Sequence, residues 1–247
     1  MPVNRILAAS AVCVTVTAAI GVAGCAKGSS DDRPFAGQSA DQVASRAVSA
    51  TRNASSLHMT GKVYANSRPL TVDFHVDNKK TCKGRMTSEQ ATADVIHADQ
   101  ATYIKGNEAF WQNTAKNSGG TQKETQTLSR RWVKVPMGDA GTTGLCDKQG
   151  FLAEMDSDKS ERQGMTKGET STVDGHQAIA LKKNKGGGET ITMYVATEGK
   201  PYILKVDQSG GKAPSTMAFS DYEKPVSATP PPPGQVIDRT KPGGAGA

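Results

Sequence analysis

The chain has 247 residues, 36% of them hydrophobic, enough to bury one sizeable core but too polar for a protein that crosses a membrane several times. It carries no sustained heptad, and its 26 glycines follow no three-residue period, which excludes a long coiled coil and a collagen. Its 30 Lys and Arg against 24 Asp and Glu leave a net charge of +6. That charge is spread along the chain, whereas a nucleic-acid binder gathers it on one element, so no nucleic-acid partner is expected.

Residues 1–24 read as an export signal. Arg5 is followed by an uncharged stretch from Ile6 to Val22, and Val22-Ala23-Gly24 stands directly before Cys25. This pattern resembles the bacterial lipobox, in which the cysteine thiol receives a diacylglyceryl group and becomes the new N-terminus. The alternatives are a plain secretory signal or a short transmembrane anchor, and 17 uncharged residues fall short of the ~20 that a span needs. The expectation is a palmitate-bearing lipoprotein, lipidated at Cys25 and held by that anchor on the outer face of a bacterial cytoplasmic membrane. With Cys13 in the signal and Cys25 consumed by lipid, Cys82 and Cys146 remain, and outside the cytoplasm they are expected to form a disulfide.

Residues 25–38 are polar and read as a flexible tether. Ser39 with Gln42 makes a capping-box signal, and Val43, Ala44, Ala47, Val48 and Thr51 follow at helical spacing. A period of two then takes over. Leu57, Met59 and Val63 alternate with polar residues. After a turn at 66–69, Leu70, Val72, Phe74 and Val76 form the cleanest strand in the chain. Cys82, Gly84 and Met86 belong to a third strand, and Val95–Ile96 and Tyr103–Ile104 suggest two more. Glu108–Thr114, Glu124–Arg130 and Asp147–Met155 are short helical candidates, with Trp132, Val133 and Val135 extended between them.

Strands resume at Thr170–Val173, an Asp174-Gly175 hairpin turn, and Gln177–Leu181. Thr190–Ala196 pairs with Tyr202–Val206, and Ser215–Tyr222 is the last strand. Residues 225–247, with Pro230–Pro233 and Lys241-Pro242-Gly243-Gly244, read as a disordered Pro/Gly-rich tail. The ordered domain is thus expected at 39–224. Its order of helix, strands, short helices and strands predicts an α+β fold, a curved antiparallel sheet with helices gathered on one face. An apolar sheet face under helices encloses either a core or a cavity.

No constellation points to an enzyme. His58, His75, His97 and His176 have no metal-motif spacing, and no G-x-S-x-G elbow is present. His58 and His75 fall on the polar faces of neighbouring strands and could meet, but read best as two solvated histidines. Ser209-Gly210-Gly211-Lys212 matches S-x-x-K only within a glycine-rich loop. Asp156-Ser157-Asp158 lacks the rest of a calcium loop and reads as solvated acids. Lys182, Lys183 and Lys185 precede three glycines and read as a mobile basic hairpin tip. No catalytic residue, metal or cofactor is expected.

Arg131-Trp132-Val133-Lys134-Val135-Pro136 with Leu145-Cys146-Asp147, Thr172-Val173-Asp174-Gly175, Tyr194-Val195-Ala196-Thr197 with Gly199, Pro201 and Tyr202, and Phe219-Ser220-Asp221-Tyr222 follow one another in an order that resembles actinobacterial lipoproteins of the LolA-like superfamily, the LppX/LprAFG type. The resemblance spans residues 39–224. It implies a curved antiparallel half-barrel with helices on its concave face, whose hollow accommodates acyl chains, and it implies no catalytic signature. Under that reading Met59, Val63, Leu70, Val72, Phe74 and Val76 line the hollow from one half of the sheet. Ile191, Met193, Val195, Leu204 and Phe219 line it from the other. The expected function is a monomeric, membrane-anchored lipoprotein that binds or carries a lipid, glycolipid or other amphiphile. The alternative is a cell-surface interaction module with a closed core and no ligand.

Overall fold

A computed structural model describes residues 34–65, 68–135, 143–157 and 159–240. The expected export signal and Cys25 lie outside the described residues, as does most of the expected tether. Among the described residues no helix is long and apolar enough to cross a membrane.

Helix α1 spans Ala40–Asn53 and starts where the sequence says it should. Ser39 Oγ accepts from the Gln42 amide at 3.2 Å, and Gln42 Oε1 accepts from the Ser39 amide at 2.8 Å, so both halves of the capping box are made. Its apolar stripe, Val43, Ala44 and Ala47, is fully buried. Strands β1 (Ser56–Ala65), β2 (Arg68–Asp77), β3 (Cys82–Ser88), β4 (Ala91–Ala98) and β5 (Ala101–Gly106) follow as an antiparallel meander. Helices α2 (Glu108–Ser118) and α3 (Gln122–Leu128), strand β6 (Trp132–Val135), and helices α4 (Thr143–Cys146) and α5 (Lys148–Met155) come next. A 3-10 turn at Lys159–Arg162 leads into β7 (Thr166–Val173), β8 (His176–Gly186), β9 (Glu189–Ala196), β10 (Ile203–Ser209) and β11 (Ser215–Ser220). Asp174 and Gly175, both at positive φ (47° and 83°), make the tight turn expected between β7 and β8.

All strands join one open sheet, in the order β12-β6-β5-β4-β3-β2-β1-β11-β10-β9-β8-β7, where β12 is Val236–Asp238. The two meanders meet where β1 pairs with β11. This is the curved α+β half-barrel that the sequence predicts, with the helices on its concave face.

Alternation puts one residue in two on that face, and the register lines them up: Phe74 stands opposite both Met59 and Gly84, and Met59 opposite Phe219. A Cβ on Gly84 would come within 2.5 Å of the Phe74 ring, so the glycine is what lets that ring lie flat across the sheet. α1, α5 and this row form the main core. A second cluster (Ala93, Ile104, Trp111, Leu128, Val133) lies under α2 and α3. Met86 on β3 touches both.

Cys82 on β3 and Cys146 on α4 form the expected disulfide, with Cα atoms 5.4 Å apart and a separation of 64 positions in sequence. It ties the α4–α5 segment to the middle of the sheet. Lys148, at the start of α5, donates from Nζ to the Arg52 carbonyl at 2.9 Å, and Gln149 Nε2 donates to the same carbonyl at 2.8 Å. The last turn of α1, which leaves carbonyls without intrahelical partners, is thereby satisfied by α5.

Three expectations are corrected here. The tail does not leave the fold at Lys224: a 3-10 turn at Pro233–Gln235 delivers β12, which pairs in parallel with β6 (Val236 with Trp132, Ile237 with Val133). Ile237 packs on the α2–α3 cluster, and Arg131 Nη2 donates to the Gly234 carbonyl at 2.8 Å. At the other end, residues 34–38 are not a free tether. Phe35 packs on the main core, and Lys167 Nζ donates to its carbonyl at 2.8 Å. Nor are the lysines of β8 a mobile tip: Lys183 Nζ donates to the Gln163 carbonyl at 2.7 Å, and Lys185 pairs with Glu161 at 2.8 Å.

Candidate functional site

The concave face is closed over β9 and β10 by α1 on one side and by α5 with its following 3-10 turn on the other. Between them lies an apolar cavity of about 60 Å³, lined by Val48 and Thr51 of α1, Leu152 of α5, Met165, Ile191 and Met193 of β9, and Ile203 and Val206 of β10. Arg52, Asp156, Glu161 and Arg162 complete the lining and are its charged members. The helical spacing of Val48 and Thr51 carries two of the walls, and the alternation of β9 carries Ile191 and Met193 on one face.

Arg162 is the central feature of the closure. Its guanidinium makes a bidentate bridge to Asp156, with Nη2 3.1 Å from Oδ2, and Nη1 donates to Ser45 Oγ at 2.9 Å. Only 18% of the Arg162 side chain and 10% of Asp156 are exposed, so the pair is shielded from bulk water. The expectation of solvated acids at 156–158 fails for Asp156, and Asp158 lies outside the described residues. The same 3-10 turn is held from β8 by Lys183 and Lys185, and its exit is held from α1 by Asp41, whose carboxylate accepts from the Gly164 and Met165 amides at 3.0 and 2.9 Å. On the outer side of this closure an open polar groove of about 690 Å³ runs past Gln38, Asp41, Gln42, Ser45, Arg46, Lys159 and Gln163. Arg162 lines both the groove and the cavity. One side chain therefore separates an apolar compartment from a polar one.

The residues expected to line a hollow divide into four sets. Ile191 and Met193 line the cavity. Met59, Val72, Phe74, Val76, Val195 and Phe219 share the concave face but are 0–2% exposed and make up the packed core. Val63 and Leu70, paired across β1 and β2, are half-buried and pack against that core. Leu204 does not share this face. A register irregularity between Ile203 and Lys205 turns it to the other side, where it packs with Ala178, Ala196 and Tyr194. The residues that close the cavity, Asp156, Arg162 and Ser45, carried no sequence signal, because Asp156 and Arg162 are six apart across an irregular segment.

A second polar knot fixes the opposite end of α1. Glu223, at positive φ (63°), accepts from the Ser55 amide at 2.8 Å, from Ser55 Oγ, from Lys200 Nζ at 2.9 Å and from Tyr202 Oη at 2.8 Å. These bonds, those from Ser55 foremost, hold its carboxyl far below the usual carboxylate range. The Tyr202 and Tyr222 rings stack at 4.0 Å, and the Tyr222 hydroxyl donates to the Ile203 carbonyl; burial pushes that phenol up. The floor of the cavity at Ile203 is thus rigidly placed.

No family model and no curated protein matches the chain. Solved structures do. The crystal structure of LprF from Mycobacterium bovis is similar with a TM-score of 0.53 at 15% identity, covering 78% of this chain and 96% of that one. That of the Mycobacterium tuberculosis lipoprotein LppX gives 0.45 at 13% identity, covering 76% of this chain and 97% of that one. The likeness to LprF is one of fold, a curved open antiparallel sheet with helices on one face.

Proposed function

We propose that the protein is a lipoprotein, anchored through Cys25 to the outer face of a bacterial cytoplasmic membrane, that carries a single amphiphile such as a lipid or glycolipid. The observation that supports this reading is the junction at Arg162. The apolar cavity suits a hydrocarbon tail, and the polar groove with Arg46, Lys159 and Arg162 suits an anionic or hydroxylated head. Uptake is non-covalent and driven by apolar burial, at ~25 cal/mol per Å². The cavity of about 60 Å³ is several-fold smaller than the ~300–1,000 Å³ of a drug-sized site. Loading a chain therefore requires α5 and the 3-10 turn to swing away from α1, and the half-buried Val63, Leu70 and Val206 give the incoming chain further apolar surface.

The test is native mass spectrometry of the protein purified after export from a bacterial host, beside M193W, which fills the cavity. A stoichiometric lipid-sized adduct, lost on denaturation and reduced in M193W, is the expected result. A clean mass for both folded proteins after incubation with membrane lipid extract refutes the carrier. The second reading, a monomeric interaction module with a closed core, draws on the near-complete burial of Met59, Val72, Phe74, Val76 and Phe219. It is favoured by that same clean result.

A further inference from the structure

The outer face of the sheet carries a side-chain cluster that amphiphile binding does not use. The antiparallel register of β1 and β2 sets His58 directly opposite His75, on the face away from Met59 and Phe74. The two imidazoles are not separately solvated, as alternation alone suggests. They stack with centroids 3.9 Å apart and planes 6° from parallel. Asp73, two residues before His75 on the same face, places Oδ1 2.8 Å from His58 Nε2. Ser220 Oγ of β11 lies 3.3 Å from His58 Nδ1. One ligand atom each from His58, Asp73 and His75 falls within 4.8 Å of the others.

We propose that His58, His75 and Asp73 form a surface site for one borderline divalent transition ion, of the Zn²⁺ or Cu²⁺ class, with water completing the coordination. Two nitrogens and one carboxylate oxygen are the donor set such ions take, and an open position filled by water follows from having three protein ligands. Tetrahedral bonds of about 2.0–2.1 Å put ligand atoms about 3.3 Å apart, so the cluster has little distance left to close. Side-chain rotation supplies it, since the backbone is fixed by the ladder and the Asp73 side chain is 63% exposed.

Stacked rings cannot both hold a proton without repulsion, and His75 is pushed below the usual imidazole value by burial first, then by His58 and Lys83, against the opposing pull of Asp221 and Asp73. Lys83 of β3, opposite His75, is the cation that a bound ion must tolerate, and Asp221, itself paired with Lys224, lies on the other flank. His97 is outside this cluster, on the concave side, with Nδ1 2.8 Å from Thr102 Oγ1. His176 stands exposed at the start of β8.

The experiment is calorimetric titration of the purified full chain with zinc chloride in a non-coordinating buffer, with H58Q, H75Q, D73N and H176Q checked for folding by circular dichroism. The expected result is one zinc ion per chain at pH 7.5, with affinity about tenfold or more lower in H58Q and in H75Q, lowered less in D73N, and unchanged in H176Q. If a histidine variant does not fold, imidazole ¹⁵N shifts of wild type with and without zinc read the same two residues directly. Absence of stoichiometric uptake by wild type, uptake that survives both H58Q and H75Q, or zinc-insensitive His58 and His75 resonances overturns the site.

Discussion

The Arg162–Asp156 bridge is the contact on which the closure of the cavity turns, and its strength follows from its surroundings. Exposed pairs contribute ~0.2–1 kcal/mol, whereas breaking a fully buried one costs ~3–5 kcal/mol. At 18% and 10% exposure this bidentate pair falls between, and Ser45 adds a charge-assisted hydrogen bond to the same guanidinium. R162A should therefore cost about 2 kcal/mol of global stability, part of it from the carboxylate left without its partner. The coupling between R162A and D156N in a double-mutant cycle should be about 1–2 kcal/mol. With a urea slope of ~2 kcal/mol/M, R162A moves the midpoint by ~1 M, well within the resolution of equilibrium unfolding. Uptake of a fluorescent fatty acid, followed by stopped flow, should be several-fold faster in R162A, because the 3-10 turn then opens more often. A coupling energy below ~0.5 kcal/mol would show that the pair behaves as a surface contact. A normal coupling with unchanged uptake would keep the bridge as a brace and remove it as a gate.

Glu223 gives a pH signature. Its folded value lies below the unfolded ~4.3, so its stabilising bonds are fully present above that pH and are lost as pH falls through the folded value. Wild-type stability should decline as pH is lowered below ~4.3, and E223Q should start lower at neutral pH and show a flatter acid limb in chemical denaturation. Replacing both Cys82 and Cys146 by alanine should cost ~4 kcal/mol for a 64-residue loop in the chain-entropy account, read as a fall in Tm that a reducing agent reproduces in wild type. Truncation after Pro233, which removes β12 and Ile237, should cost ~1–2 kcal/mol and alter the fluorescence of Trp111, in the cluster on which Ile237 packs, and of Trp132, the ladder partner of Val236, while leaving the urea slope of the main core nearly unchanged.

Where a pattern is local and periodic, the sequence was a sufficient guide. The Ser39–Gln42 box, the alternation from Leu70 to Val76 and the Asp174-Gly175 turn each act within a few residues, and each element formed where those signals stand. The disulfide was legible because the expected export signal and lipidated Cys25 leave two cysteines and one pairing. Leu204 shows the limit: one irregular residue before Lys205 reverses the face of a side chain, and nothing in the text of β10 marks it. The strand Val236–Asp238 was invisible for another reason. Three residues have no measurable period, and their partner, β6, lies about a hundred positions upstream. The Arg162–Asp156–Ser45 closure joins three elements through side chains alone, so it exists only once the helices are docked.

The short strand β12 also bears on how the molecule behaves toward its own copies. An open sheet presents unpaired amides and carbonyls along its two outermost strands, and such borders template growth by neighbouring chains. On one border stands β12, three residues long, which offers an incoming strand almost no ladder. On the other stands β7, exposed nearly throughout, carrying Lys167 and Glu169 and interrupted in register between Lys167 and Thr170. Neither border gives a second molecule a long, flat, apolar run to extend. A sheet of twelve strands can thus be crowded at high local density without polymerising edge to edge, and removing the last residues of the chain would expose β6, with Trp132 and Val133, as a stickier border.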